Sequence, residues 1–258
     1  LYFALGVLMY QIEMHQVSDD FASCWRSAIT HLETRGREAI KWLKSDLIPP
    51  FLDHTSFRIG NQLFFVRIED KDNDLDTPSN PDGLKMIADG CKGIACHMPM
   101  IRKGVGWEVD ASDWGLINPD TKELINPYDL VTDENIIMTD WEIQDFAVQV
   151  VRNYIKNKLG FKIFSSQGNP SVHPSLWFKG EEKDECIIVG SARFGEYVPE
   201  LPSNIDDIVE SVSSITNRVH FASVCFYHPE QKSNEVVLPL YRGHGTAIKF
   251  NGLRTVTL

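Results

Sequence analysis

Two long segments of this chain, and a shorter one after Ser203, carry apolar residues at the three- and four-residue spacing of an amphipathic helix. The first follows Ser18, whose side chain, with the two aspartates after it, suits the free N–H groups of a helix start. Its apolar face is formed by Phe21, Trp25, Ala28, Ile29 and Leu32. The same spacing resumes at Ala39, Leu43 and Leu47. We therefore expect the helix to run, past an interruption at Gly36, as far as Pro49-Pro50.

The rest of the first half alternates between short apolar runs and turn residues. Residues 57–68 suit a β-hairpin around Gly60-Asn61. Residues 82–89 suit a short helix, and residues 114–125 suit a second hairpin around the turn Asn118-Pro119-Asp120. We therefore expect residues 11–138 to form an N-terminal α+β subdomain.

The second helical segment begins at Thr139-Asp140-Trp141-Glu142, which is a capping box. In this motif the side chains of Thr139 and Glu142 each accept a hydrogen bond from a free N–H of the first turn. The apolar stripe that follows consists of Ile143, Phe146, Ala147, Val150, Val151, Tyr154 and Ile155. Gly160 suits the left-handed conformation that ends many helices.

Strands and one more helix are predicted after Gly160. Apolar runs predict strands at 161–164, 175–178 and 186–189, and the last of these is continuous, as in a central strand covered on both faces. A helix then begins at Ser203-Asn204-Ile205-Asp206. Further strands are predicted at residues 219–227, 236–240 and 246–250.

This order of elements predicts the fold class. Residues 139–253 follow the order α-β-β-β-α-β, so we expect an α/β protein. Its C-terminal domain, residues 139–258, would be a mixed sheet flanked by helices, preceded by the N-terminal α+β subdomain.

The order resembles the nuclease core of restriction endonucleases and Holliday-junction resolvases, the PD-(D/E)xK superfamily. The resemblance implies that an aspartate starting the second strand and a (D/E)-x-K on the third bind magnesium and position water, often helped by a helix glutamate. The corresponding residues here are Pro174-Ser175 and Gly190-Ser191-Ala192, with Arg193 one residue beyond the lysine position and Glu142 at the helix glutamate. Only the proline survives, so we expect no metal site, no cofactor and no hydrolysis by this route.

If a catalytic site has migrated, Glu142, His173 and Arg193 are the residues that would form it. Each has a structural alternative. Glu142 is explained by helix capping, and His173 by a loop position beside Pro174. Arg193 follows a buried strand and can pair with a carboxylate there.

The segment Tyr241-Arg242-Gly243-His244-Gly245 is a candidate ligand-binding turn. Two glycines allow a close approach of the backbone, and Arg242 with His244 can bind an anion. Hairpin turn chemistry accounts for the same glycines.

The segment Cys91-Lys92-Gly93-Ile94-Ala95-Cys96-His97 suggests a thiol enzyme based on Cys96. A nucleophilic cysteine needs a base beside it and a lowered pKa. On a strand, His97 would point to the face opposite Cys96, which favours a buried structural cysteine instead. Structural zinc needs four ligands, and no second Cys/His pair occurs elsewhere in the chain.

Alternating aspartates at positions 70, 72 and 74 have the spacing of the first ligands of a calcium loop. Such a loop also needs glycine at its sixth position and glutamate at its twelfth, where Leu75 and Pro81 stand. The pattern therefore favours an acidic loop without calcium.

Charge and cysteine content bound the partners and the compartment. The formal net charge of −11 disfavours nucleic acid, although a local basic groove remains compatible with it. Residues 1–10 are apolar but too few to cross a bilayer and resemble an appended remnant, so they carry no functional argument. The odd number of cysteines, five in all, indicates a reducing compartment, so we expect a cytoplasmic protein. We also expect that the protein does not associate with a membrane.

Three functional hypotheses follow. The first is a catalytically inactive nuclease-like protein that binds an unknown protein partner or an anionic ligand. The second is a divergent metal-dependent nuclease that uses Glu142, His173 and Arg193. The third is a cysteine-dependent enzyme built on Cys96.

Overall fold

The computed structural model describes residues 17–48, 54–72, 75, 81–195, 201–232 and 235–256, and it divides the chain into two compact units. The described residues up to Leu47, together with those from His54 to Ile136, form the N-terminal unit. The described residues from Ile137 onward form the C-terminal unit.

The N-terminal unit is an α+β arrangement around one mixed sheet. Its helices are α1 (Asp19–Gly36) and α2 (Pro81–Gly90), with short 3-10 turns at Arg37–Ala39 and Pro127–Leu130. Its strands are β1 (Lys41–Lys44), β2 (His54–Ile59), β3 (Gln62–Asp70), β4 (Ile94–Lys103), β5 (Gly106–Val109), β6 (Leu116–Ile117) and β7 (Leu124–Ile125).

The strands of this sheet lie in the order β1-β2-β3-β4-β6-β7, and β5 pairs with another stretch of β4. Within the described residues of this sheet, β3 and β4 are the one parallel pair, and α2 connects them, as a parallel pair requires. One face of the sheet packs against α1, with a core that includes Trp25, Leu32, Phe57, Phe64 and Met98.

Both predicted hairpins of this unit are confirmed, as β2–β3 and β6–β7. The predicted continuation of α1 toward Pro49 is wrong. The helix ends at Gly36, Arg37 adopts a positive φ of 45°, and residues 41–44 form β1 beside β2. The helical spacing of Ala39, Leu43 and Leu47 was misleading, because pairing with a neighbouring strand outweighs a weak local pattern.

The C-terminal unit has the predicted order α-β-β-β-α-β, followed by one more strand. Its helices are α3 (Asp140–Asn153), which continues as a π-helical turn at Tyr154–Leu159, and α4 (Ile205–Val212). Its strands are β8 (Lys162–Ser166), β9 (Leu176–Lys179), β10 (Asp184–Arg193), β11 (Val219–Tyr227) and β12 (Ala247–Thr255). The predicted α/β class, with mixed sheets flanked by helices, is confirmed.

The five strands of this unit form one mixed sheet in the order β12-β11-β10-β9-β8. Strands β10 and β11 are parallel and are joined through α4, whereas the other neighbouring strands are antiparallel. Helix α3 covers one face, with Ile187 and Val189 in its core, and α4 covers the other, with Cys186 and Ile188. Strand β10 is therefore buried on both faces, as its continuous apolar run predicted.

The predicted strand at residues 236–240 is wrong. This segment belongs to the long link from β11 to β12, in which Leu240 is buried and its carbonyl accepts a hydrogen bond from the Met138 N–H at 2.9 Å. Tyr241 forms an isolated bridge with Ile137. The link thus runs beside the residues that precede α3.

None of the helices in the described ranges is long and apolar enough to cross a membrane. Residues 1–10 lie outside the described residues, as does Asp74 of the candidate calcium loop.

Candidate functional site at the start of helix α3

Glu142 occupies the first turn of α3, where the predicted capping box is formed. The Glu142 N–H donates to Thr139 Oγ1 at 3.3 Å, and the Thr139 N–H donates to Glu142 Oε2 at 2.8 Å. Glu142 therefore caps the helix, as the structural alternative predicted, but capping is only one of its contacts.

Arg242 provides the second contact of Glu142. Its Nε donates to Glu142 Oε1 at 2.7 Å, and its Nη2 donates to Glu142 Oε2 at 2.8 Å. Arg242 is 4% exposed and Glu142 is 8% exposed, so this bidentate pair is buried. An anionic ligand at Arg242 would have to displace the Glu142 carboxylate.

Arg193 ends β10 near the same turn of α3. Its guanidinium pairs with the Asp140 carboxylate and donates from Nη2 to the Met138 carbonyl at 2.6 Å. The predicted alternative, a carboxylate partner at the end of the strand, is what the structure shows. Glu142, Arg193 and Arg242 thus all contact residues 138–142.

His173 lies in the loop between β8 and β9. Its Nδ1 is buried and has no hydrogen-bond partner among the described residues. Burial lowers the pKa of His173, which favours the neutral imidazole. The loop is held around it by Gln167, whose Nε2 donates to the carbonyls of Val172 at 2.5 Å and Pro174 at 3.3 Å.

His244 lies on an exposed turn. Its backbone N–H donates to the Tyr241 carbonyl at 3.3 Å, and its ring meets the Tyr241 ring edge-on at 5.6 Å between centroids. These contacts fit the turn chemistry that was the alternative to ligand binding. The structure therefore separates the two candidate ligand-binding residues, since Arg242 is buried and His244 is exposed.

Of the positions that the nuclease resemblance assigns to carboxylates and lysine, Gly190 and Ala192 lie in β10, and Ser175 directly precedes β9. Ser175 is buried, and its Oγ accepts a hydrogen bond from the Val189 N–H at 3.4 Å. Ala192 is also buried, and Gly190 offers no side chain. None of these three residues carries a carboxylate, so none of them can supply the hard oxygen ligand that magnesium prefers.

Gln144 is a residue that the sequence reasoning missed. It is buried, and its Nε2 donates to the Val189 carbonyl at 2.8 Å. Both backbone groups of Val189 are therefore held by polar side chains, one from Gln144 and one from Ser175. The available signal was its spacing, because Gln144 shares a helical face with the apolar residues Val148 and Val151.

A close approach of loop and helix was also missed. A Cβ atom on Gly168 would lie 2.3 Å from Asp145 Oδ1 and 2.8 Å from the Asp145 Cα. Glycine is therefore needed where the β8–β9 loop crosses α3. No local sequence signal marks this contact, since it joins residues of different elements.

Glu185 forms a second polar cluster at the other end of β10. Its carboxylate contacts His220 Nε2 at 2.7 Å and Arg218 Nη1 at 3.3 Å. His220 Nδ1 lies 3.4 Å from Thr255 Oγ1. This cluster links three neighbouring strands and satisfies a buried carboxylate.

Within the ranges that the structure describes, no three His, Cys, Asp or Glu side chains are grouped so as to hold a metal ion. Asp70 is buried and accepts hydrogen bonds from the N–H groups of Asp72 and Leu75, at 3.1 and 3.0 Å. Its carboxylate thus organises the turn after β3.

The surroundings of Cys96 disfavour a thiolate nucleophile. Cys96 is fully buried in β4, and burial raises the pKa of its thiol. His97 belongs to the opposite face of the strand, where its Nδ1 lies 3.4 Å from Glu69 Oε2. The histidine next in sequence is therefore not positioned as its base.

In a comparison with known families, residues 141–256 match the model of a domain of unknown function (DUF8840). Neither a curated protein nor a solved structure matches the chain. The match runs from α3 to β12, so this family model is similar to the unit that contains the Glu142–Arg242 pair.

Proposed function

We propose that the C-terminal unit is a nuclease-like core without nuclease activity, and that the protein acts by binding a protein or an anionic ligand. The observation that carries the proposal is the identity of the residues at the three motif positions, Ser175, Gly190 and Ala192. In the resemblance these positions supply two metal-binding carboxylates and a lysine, and here they supply none.

The packing around these positions supports the same conclusion. Gln144 and Ser175 bind the two backbone groups of Val189, where an active core would direct carboxylates toward a metal. Glu142, the one acidic residue at a matching position, is occupied by Arg242 and the Thr139 N–H. Its negative charge is thereby neutralised inside the fold.

One observation favours the divergent metal-dependent nuclease as a second candidate. The Nδ1 atom of His173 is buried without a partner among the described residues, and a neutral imidazole can act as a base or a metal ligand. Glu142 and Arg193 are already engaged in other contacts. A site of this kind would require both to change partners.

A cleavage assay on the full chain tests the proposal. We expect no magnesium- or manganese-dependent cleavage of single- or double-stranded DNA or RNA. Cleavage that disappears in both Glu142→Ala and His173→Ala, with both variants still folded, would contradict the proposal and support the second candidate. Cleavage that survives both substitutions would indicate a contaminating nuclease.

A further inference from the structure

A surface segment of the N-terminal unit exposes large apolar side chains. We call residues 123–134 the acidic–apolar strip; it contains β7 and the 3-10 turn Pro127–Leu130. Within it Leu124 is 56% exposed, Tyr128 48%, Leu130 39% and Val131 38%. Single exposed apolar residues are ordinary, but four within eight residues of chain make this segment a candidate interaction surface.

The strip is fixed in place by contacts with the hairpin β2–β3. The buried Asn61 donates from Nδ2 to Thr132 Oγ1 at 2.9 Å and to the Glu134 carbonyl at 2.8 Å, and its Oδ1 accepts from the Thr132 N–H at 3.2 Å. Val131 packs so closely over Gly60 that a Cβ there would lie 2.5 Å from Val131 Cγ1. The Tyr128 ring meets the Trp114 ring edge-on at 5.3 Å between centroids. The strip is therefore held in this conformation, while its apolar side chains stay partly exposed to water.

The same segment carries charge of one sign. It contains Glu123, Asp129, Asp133 and Glu134, and no lysine or arginine. Among the described residues, no basic side chain pairs with the carboxylates of Asp129, Asp133 or Glu134. Negative charges that are not balanced locally favour a positively charged partner and repel phosphate.

We propose that the acidic–apolar strip docks an extended segment of a partner protein in which lysine or arginine residues alternate with apolar residues. Alternate side chains of such a segment would meet the exposed apolar groups, and its cations would lie beside the carboxylates. The repulsion of phosphate excludes nucleic acid and anionic membrane surfaces as occupants. This proposal goes beyond the proposed function and does not depend on the state of the C-terminal unit.

Fluorescence anisotropy of labelled peptides with the full chain tests the proposal. The probe is a short peptide in which lysine alternates with leucine. Two control peptides replace the leucines by serine or the lysines by glutamate. We expect saturable binding of the first peptide that weakens with added salt, and at least about tenfold weaker binding of both controls.

A matched pair of variants locates the binding. Asp129→Asn with Asp133→Asn removes two charges from the strip, whereas Glu33→Gln with Glu38→Gln removes two from exposed positions elsewhere in the N-terminal unit. We expect the first pair to weaken binding by about three- to tenfold and the second by less than about twofold. Leu130→Ser should weaken binding as well.

Three results would overturn the proposal. One is the absence of saturable binding by the lysine–leucine peptide. Another is equal weakening by the two variant pairs, which would indicate diffuse attraction to an acidic protein. The third is unchanged binding in Leu130→Ser, which would leave the exposed apolar side chains without a role. Unfolding midpoints like that of the parent chain ensure that each variant is folded.

Discussion

At the scale of single residues, the buried pair of Glu142 and Arg242 is the main feature of the candidate site. Sequence reasoning selected both residues, but for separate reasons and for separate roles. They lie 100 positions apart, so no local pattern could reveal that each neutralises the other. The chemistry of a residue type is visible in a sequence, whereas its partner is visible only once the chain is folded.

Replacing Glu142 should destabilise the protein strongly. Glu142→Gln keeps the shape of the side chain but removes the negative charge with which the buried Arg242 guanidinium forms its bidentate pair. We expect a loss of about 3–5 kcal/mol in the free energy of unfolding, measured with urea. The control is Asp140→Asn, since Asp140 is largely exposed in its pair with Arg193, and it should cost no more than about 1 kcal/mol.

A double substitution sharpens this prediction. Glu142→Met combined with Arg242→Met removes both charges, so we expect it to be less destabilising than Glu142→Gln alone. Equal losses for Glu142→Gln and Asp140→Asn would show that the buried pair contributes no more to stability than the exposed pair of Asp140 with Arg193.

Protonation of His173 should make the stability depend on pH. Burial lowers the folded pKa of His173 below its ordinary value of 6.5, so the unfolded chain binds the proton at the higher pH. This contribution to stability is present above about pH 6.5 and is lost as the pH falls toward the folded pKa. Urea unfolding of His173→Asn between about pH 7 and pH 5 should show a flatter pH dependence than the parent chain. An unchanged slope would contradict the burial of this imidazole.

At the scale of elements, local signals were sufficient where the cause of the structure is local. The capping box placed the start of α3 at the observed residue, and Gly160 ends its last turn with a positive φ of 77°. The errors at 41–44 and 236–240 have a different origin. In both cases the conformation depends on which other segment of the chain lies beside it. Residues 41–44 lie beside β2, and residues 236–240 lie beside the start of α3.

The crossing of the β8–β9 loop over α3 leads to a prediction about glycine. Gly168→Ala would place a methyl group against the backbone and carboxylate of Asp145, at distances that require movement. We expect a loss of about 1–3 kcal/mol in the free energy of unfolding. Gly106→Ala is the matched control, because nothing lies within 4 Å of its added Cβ. Similar losses for the two variants would contradict the close approach.

At the scale of the whole molecule, the fold class could be predicted from the sequence. The contacts of the candidate site could not. The mixed sheet flanked by helices follows from the order of apolar runs, which many residues determine together. The candidate site instead depends on single contacts such as Gln144 with the Val189 carbonyl. The acidic charge is visible in the composition. That Leu130 and Val131, which lie among these acidic residues, are exposed becomes apparent only from the structure.

The five cysteines should differ in reactivity according to burial. Burial raises the pKa of Cys24 and of Cys186 to about 12, and Cys91 and Cys96 are buried as well, whereas Cys225 is partly exposed. Treatment of the folded protein with iodoacetamide at neutral pH, followed by mass spectrometry, should modify Cys225 first. All five should react after denaturation. Rapid alkylation of Cys96 in the folded protein would revive the thiol-enzyme hypothesis.

We propose that the C-terminal unit is a nuclease-like core without a metal site, and calorimetric titration of the full chain with magnesium and manganese measures whether it binds either ion. We predict no saturable binding of either ion, because Ser175, Gly190 and Ala192 provide no carboxylate and Glu142 is held by Arg242. Binding of one or two ions per chain that is lost in Glu142→Gln, with the variant still folded, would show that a metal site is present and would refute this proposal.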